Sequence, residues 1–123
     1  MSRKDMFTKS AGAYTYGGSI WIDKAERSFI GPGKINFLEL VKEHGSISKA
    51  AAALGMSYSK AWGLVDAMNS LAEKPLVIKK TGGAGGGGAE LTEEAERILE
   101  IYHKFCNNFE AFLMEQKELI GQL

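Results

Sequence analysis

A chain of 123 residues, 45% hydrophobic and 24% charged, has room for one packed domain or one domain with an extension. Its one cysteine, Cys106, excludes a disulfide framework, and neither a membrane-length apolar run nor an apolar signal segment is present, so the expected setting is the cytoplasm. A formal charge of zero, from 15 basic and 15 acidic side chains, excludes a uniformly basic coat, although six Lys/Arg face three Asp/Glu in residues 1–34 and three face seven in residues 92–123.

Residues 1–18 show no clear period and many small or polar side chains, which predicts a flexible arm. Arg3, Lys4 and Lys9 give it charges suited to phosphate, or simply to solubility. Residues 19–24 (SIWIDK) and 28–30 (SFI) predict a small β-hairpin across Ala25-Glu26-Arg27, ended by Gly31-Pro32-Gly33. Lys34 to His44 carries Ile35, Leu38 and Val41 on one face, joined by Phe37 and Leu40, and predicts the first core helix. Gly45 suits the left-handed position beyond it, and His44 suits the negative end of the helix dipole.

The next stretch, GSISKAAAALGMSYSKAWGLVDAMNSLAEK, predicts two helices around a turn at Gly55-Met56. Ile47, Ala50, Ala51 and Leu54 form one stripe at helical spacing, mostly alanine, which another helix can cross closely. Ser46 or Ser48 caps this helix and Ser57 caps the next. The second helix repeats the spacing with Ala61, Leu64, Val65, Met68, Leu71 and Ala72. A helix-turn-helix fits this pattern; a helical hairpin of another globular domain is the alternative.

After Pro75, residues 76–80 (LVIKK) read as a strand, Thr81 to Ala89 as a glycine loop and Glu90-Leu91 as a returning strand, so a wing follows the second helix. Thr92, with Glu93 and Glu94 behind it, caps a last helix expected to reach about Ile120. Its apolar positions fall in three heptad seams: Ala95, Tyr102, Phe109; Ile98, Phe105, Phe112, Leu119; and Leu99, Cys106, Leu113, Ile120. A helix that long spans about 40–45 Å, more than a domain of roughly 13 Å radius of gyration covers. The excess predicts a homodimer, with Ile98, Tyr102, Phe105, Phe109, Phe112 and Leu113 at its interface.

Catalytic chemistry is not legible. Gly83, Gly85 and Gly88 fit G-x-G-x-x-G, but no helix opens at the third glycine and no Gly-Lys-Ser/Thr follows. His103 and Cys106, three apart on one helix, make two ligands and no zinc site. No enzyme, cofactor or metal is expected. Duplex DNA is the expected partner, read by Ser57, Tyr58, Ser59 and Lys60 in the first turn of the second helix, with Gly63 on the same face. Trp62 is read first as packing and second as a phosphate donor. Ser46, Ser48 and Lys49 suit phosphate, as do Lys79, Lys80, Thr81, Gly83 and Gly85 at the wing.

The run GSISKAAAALGMSYSKAWGLVDAMN, followed by TGGAGGGGAELT, resembles the N-terminal domain of the ModE family of molybdenum-responsive bacterial repressors, over roughly residues 19–105. The resemblance implies a mainly α fold with small β elements, a winged helix-turn-helix with a long C-terminal dimerisation helix. It implies binding to palindromic operators of molybdate-transport or molybdenum-enzyme genes, with Ser57, Tyr58, Lys60 and Trp62 in the recognition helix and Thr81 to Gly88 in the wing. Two departures stand out. The family usually carries a lysine where this chain has Ala84, which implies weaker wing contact. The chain stops at Leu123 and so resembles stand-alone variants, in which direct molybdate binding is not expected.

The expected organisation is an arm (1–18), a winged domain (19–91) and a dimerisation helix (92–123). The two copies of Ser57–Trp62 would then lie about 34 Å apart, one turn of duplex. The rival readings are a winged-helix module that binds protein and a small sensor of oxyanions.

Overall fold

A computed structural model describes residues 7–80 and 88–123. The chain divides into two compact units, residues 21–99 and residues 1–20 with 100–123.

The larger unit opens with β3 (Ile22–Lys24) and β4 (Arg27–Ile30), which follow β1 (Thr8–Ala11) and β2 (Tyr14–Gly17) of the smaller one. The expected three-residue link is a two-residue turn, because Arg27 joins the ladder opposite Lys24. Ala25 and Glu26 take φ of 52° and 62° there. Two-residue hairpins select left-handed turn residues because their twist matches that of the strands, and without glycine each such residue costs roughly 1–2 kcal/mol. Trp21 lies outside the ladder and is 59% exposed.

Three helices follow: α1 (Pro32–His44), α2 (Ile47–Ala53) and α3 (Tyr58–Leu71). Gly45 closes α1 at φ 64°, its N–H bonded to the Val41 carbonyl. Gly55 makes the turn between α2 and α3 at φ 66°. Both are left-handed positions that glycine takes without a Cβ clash. Ser46 caps α2 and Ser57 caps α3, each hydroxyl accepting from the backbone N–H three residues on, Lys49 and Lys60, at 3.1 Å. The expected small-residue crossing is present: Ala50, Ala51 and Ala61 are all buried, with Phe37, Leu38, Val41, Ile47, Val65 and Met68 around them.

The wing strands are β5 (Val77–Lys80) and β6 (Gly88–Leu91), antiparallel, with Lys79 opposite Ala89. Their root is held by side chains. The Asn69 carboxamide of α3 accepts from the N–H groups of Leu76 (2.8 Å) and Val77 (3.3 Å) and donates to the Val77 carbonyl (3.1 Å). Thr92 donates its hydroxyl to the Pro75 carbonyl at 2.7 Å and accepts from the Ala95 N–H, so it caps the last helix while fastening the wing's first strand. The Ala89 N–H bonds to the Gly45 carbonyl, and Ser46 bridges Gly88. The wing is thus tied to both ends of the helix-turn-helix.

The last helix, α4 (Glu93–Glu115), starts in the larger unit and continues in the smaller one. In its first turns Arg97 donates to both Glu94 oxygens, at 2.8 and 3.0 Å, and these hydrogen bonds hold the Glu94 carboxyl below its usual range.

Of the flexible arm expected over residues 1–18, the described residues instead carry ordered strands, while residues 1–6 lie outside the described residues. Thr8–Ala11 (β1) and Tyr14–Gly17 (β2) form a hairpin turned at Gly12, φ 63°. Phe7, Lys9 and Ala11 face inward. Phe7 meets Phe109 edge-on at 5.1 Å, Lys9 pairs with Glu110, and Tyr16 donates its hydroxyl to the Leu113 carbonyl at 2.6 Å. Gly17 crosses so close to Phe7 that a Cβ would stand 2.0 Å from the Phe7 carbonyl oxygen. Tyr102 donates its hydroxyl to the Ile20 carbonyl, and burial pushes the Cys106 thiol pKa up, partly offset by the nearby Tyr102 side chain.

That hairpin also accounts for where α4 stops. Tyr16 occupies the Leu113 carbonyl, the Gln116 N–H reaches the same oxygen in a tight i→i+3 bond, and the Gln116 side chain takes the Phe112 carbonyl. The ladder ends at Glu115, and only a short α5 (Lys117–Ile120) follows, in place of one continuous helix to Ile120.

Replacing Asn69 by alanine strands two N–H groups and a carbonyl at the wing root. Each buried polar group left unpaired costs about 1–3 kcal/mol. We expect Asn69→Ala to lower unfolding stability by about 3 kcal/mol or more in a denaturant titration, and to raise hydrogen exchange at Leu76 and Val77 more than in α1. Unchanged exchange at those two amides would remove the clamp.

Candidate nucleic-acid interface

The first turn of α3 is the most exposed part of the helix-turn-helix. Ser57, Tyr58, Ser59 and Lys60 are all exposed, Tyr58 to 54%, while Ala61, Val65 and Met68 one step around the helix are buried. This division follows from the apolar stripe, which commits one face to the core and leaves Tyr58, Ser59 and Lys60 on the rest. Further along, the exposed surface of α3 carries Asp66, so the cationic end of the helix is its N-terminal end.

The two capping serines keep a role. A hydroxyl has two acceptor lone pairs and one donor hydrogen, and each cap uses an acceptor only. Ser46 and Ser57 therefore retain an O–H to donate outward. Ser48 and Lys49 stand exposed in the first turn of α2. Gly63 is exposed in the middle of α3, and a Cβ built there meets nothing within 4 Å. Packing therefore does not explain a glycine that costs a helix roughly 1 kcal/mol relative to alanine. Its effect is a bare stretch of backbone on the exposed side of α3, open to close approach.

The wing strand brings further cations. Val77 is buried and Lys79, two residues on, shares its side of the strand. The Lys79 ammonium lies 5.0 Å from the centre of the Trp62 ring, and Tyr58 meets that ring edge-on at 6.2 Å. Trp62 is half-buried, neither a core residue nor a freely projecting side chain. Lys80 is exposed on the other side of β5, its stem beside Gly88. The structure therefore brings Ser57, Tyr58, Ser59, Lys60, Trp62 and Lys79 together around α3, with Ser46, Ser48 and Lys49 on the preceding helix. Thr81, Gly83 and Gly85, and with them Ala84, lie outside the described residues. Asn69 and Thr92, which aim the wing, escaped sequence reasoning as a pair. The one available signal was a polar amide in an apolar helix shortly before Pro75.

The expected dimer seam divides in two. Tyr102 and Leu113 are buried within their own unit, and Phe109 packs on Phe7, so these three face inward in one chain. Ile98 is half-buried, and Phe105 (40%), Phe112 (54%) and Ile101 (47%) remain exposed. The correction has a simple cause. The N-terminal hairpin, read as a flexible arm, covers one face of α4 and leaves the other.

Among the described residues, no helix is long and apolar enough to cross a membrane, and no three His, Cys, Asp or Glu side chains gather as a metal site.

Comparison with known proteins places this geometry. The chain is 44% identical over 77 residues to the transcriptional regulator ModE of Yersinia pestis, covering 63% of this chain and 29% of that protein. It is 42% identical over 77 residues to the DNA-binding transcriptional dual regulator ModE of Escherichia coli (strain K12), with the same coverage. It is 36% identical over 90 residues to the molybdenum transport protein ModE of Azotobacter vinelandii, covering 73% of this chain and 33% of that one. The chain thus spans about a third of the length of the curated relatives it matches. These matches bear out the resemblance read from SYSKAW and the glycine run. Residues 33–96, from the start of α1 through the wing to the first turn of α4, match the bacterial regulatory helix-turn-helix proteins of the lysR family. With Gly55 turning α2 into a capped, outward-facing α3 and a wing clamped behind it, the chain belongs to that family of bacterial helix-turn-helix regulators, as a relative of the ModE N-terminal domain.

Proposed function

We propose that the chain is a cytoplasmic transcriptional regulator that binds duplex DNA as a homodimer, at paired half-sites in genes of molybdate transport or molybdenum enzymes. The observation that carries this reading is the first turn of α3, where Ser57, Tyr58, Ser59 and Lys60 stand exposed ahead of a buried stripe. A helix of this kind enters the major groove with its N-terminal residues at the base edges. Lys60 suits guanine or phosphate, the serines suit either, and the bare backbone at Gly63 lets the duplex come close. Lys49, Lys79 and Lys80 supply sequence-independent phosphate contacts. The names of the relatives support the regulated genes, and we assign the chain no catalytic step.

A second copy is supported by the outward seam of α4. Ile98, Ile101, Phe105 and Phe112 fall at heptad a and d spacing, and two such helices bury them together. Tyr102 and Leu113 are left to the fold of each chain.

A salt titration against a random duplex pool tests the DNA reading. Retention should fall steeply with salt, because each phosphate contact releases counterions. Retention indifferent to salt, or none at low salt, would turn the assignment towards a protein partner. Lys60→Ala should weaken binding by about 1–3 kcal/mol with an unchanged melting temperature; equal affinity would take Lys60 out of the interface. For assembly, Phe112→Glu places a charge in the outward seam and should yield monomers by light scattering. A dimer that survives it lies elsewhere.

A further inference from the structure

We infer that Trp62 is a positioning residue, not a DNA contact: its indole face holds the Lys79 ammonium of the wing beside the reader helix and so fixes one phosphate contact. This rests on the DNA-binding reading above and assigns a division of labour within it.

Three observations converge. The Lys79 ammonium stands 5.0 Å from the Trp62 ring centre, within the range over which a ring quadrupole attracts a cation. Tyr58 meets the same ring edge-on at 6.2 Å, an aromatic contact that favours this indole orientation. The strand that carries Lys79 has little freedom, because Val77 is bonded through both its N–H and its carbonyl to Asn69 on the same helix as Trp62. A lysine side chain alone has four rotatable bonds and no preferred direction. Here its root is set by Asn69 and its tip by Trp62, two residues seven apart on one helix. Lys79 stays exposed, so its charge remains available to solvent or to an anion. The ammonium of a wing residue is thereby placed at the flank of α3, where the sugar-phosphate backbone bordering the groove must pass if Ser57–Lys60 meet base edges. Preorganising that lysine lowers the side-chain entropy lost on binding.

The chemistry predicts a pattern that packing alone does not. Phenylalanine retains a π face and leucine does not, while both retain apolar bulk. A double-mutant cycle in the full chain decides the matter, using fluorescence anisotropy on a duplex selected from a random pool across a potassium chloride series. Lys79→Ala should lower the slope of log affinity against log salt by about 1. Trp62→Leu should weaken binding about two- to five-fold while Lys79 is present, and have no further effect in Lys79→Ala. Trp62→Phe should stay close to the parent. Circular dichroism checks folding, and Trp62→Met replaces Trp62→Leu in the cycle should the latter unfold. If Trp62→Leu costs as much without Lys79 as with it, the indole acts on DNA or on the fold directly and the inference is overturned. The same holds if Trp62→Phe loses as much as Trp62→Leu. Should the parent protein retain no duplex at low salt, the DNA reading itself fails, an outcome separate from either of these.

Discussion

A single carboxamide fixes the working geometry of the larger unit. Asn69 sits two turns along α3 from Trp62 and makes three hydrogen bonds to the backbone of Leu76 and Val77. Those backbone groups lie just beyond Pro75, at the start of β5, where their outward side has no neighbouring strand among the described residues. Without a partner they would each forfeit a hydrogen bond that water had supplied. Asn69 satisfies them from the reader helix itself, so the helix and the start of the wing behave as one rigid piece. Thr92 closes the other side, bonding the Pro75 carbonyl while it caps α4. A β-hairpin of two strands is marginal alone. This one derives its order from three attachments: Asn69, Thr92 and the Gly45 carbonyl.

Small side chains make the arrangement compact enough for those bonds to form. Ala50, Ala51 and Ala61 are buried where α2 and α3 pack, so the backbones approach closely and the turn at Gly55 stays short. Capping removes the remaining polar cost at the same place, since Ser46 and Ser57 satisfy backbone donors that the helices leave open. The two serines thus hold the helix ends that face outward, and the apolar stripe holds the face that looks in. Exposure of Ser57–Lys60 is a consequence of both.

Much of this was legible in residue types with fixed geometric meaning. Gly45 and Gly55 announce left-handed turns, Ser57 and Thr92 announce caps, and the spacing from Ala61 to Leu71 announces the buried side of α3. What escaped the sequence had a common cause: polar side chains acting as structural ones. The inward side of β1 and the residue before it is Phe7, Lys9, Ala11, and a lysine between a phenylalanine and an alanine hides the two-residue period. Lys9 is inward because Glu110 receives its charge, a partner 101 residues away. Asn69 looks like an interruption of an apolar helix, yet it anchors the wing. The end of α4 depends on Tyr16 reaching the Leu113 carbonyl, again across most of the chain. The heptad seams of α4 were visible, but which of them turns inward depends on a hairpin whose own pattern was concealed.

Zero net charge and DNA binding are compatible once the charges are sorted by position. Sequence-independent affinity for a duplex depends on the cations that meet phosphate, not on the sum over the molecule. Lys49, Lys60, Lys79 and Lys80 are all exposed on α2, α3 and β5, and α2 and α3 also carry the exposed serines. Acids gather instead on α4, where Arg97 engages Glu94, Lys42 reaches Glu96 and Lys104 lies near Glu100. Exposed pairs of this kind add little stability. Their contribution is to the field: they partly neutralise the acidic helix locally, and none of them draws on the four lysines of the reading elements. The result is a molecule of no overall charge that still presents four exposed lysines on α2, α3 and β5. Because several of those cations are few and individually placed, the position of each one matters more than it would on a broadly basic surface. On the proposed reading, that is the physical reason a half-buried tryptophan beside one wing lysine would matter for binding.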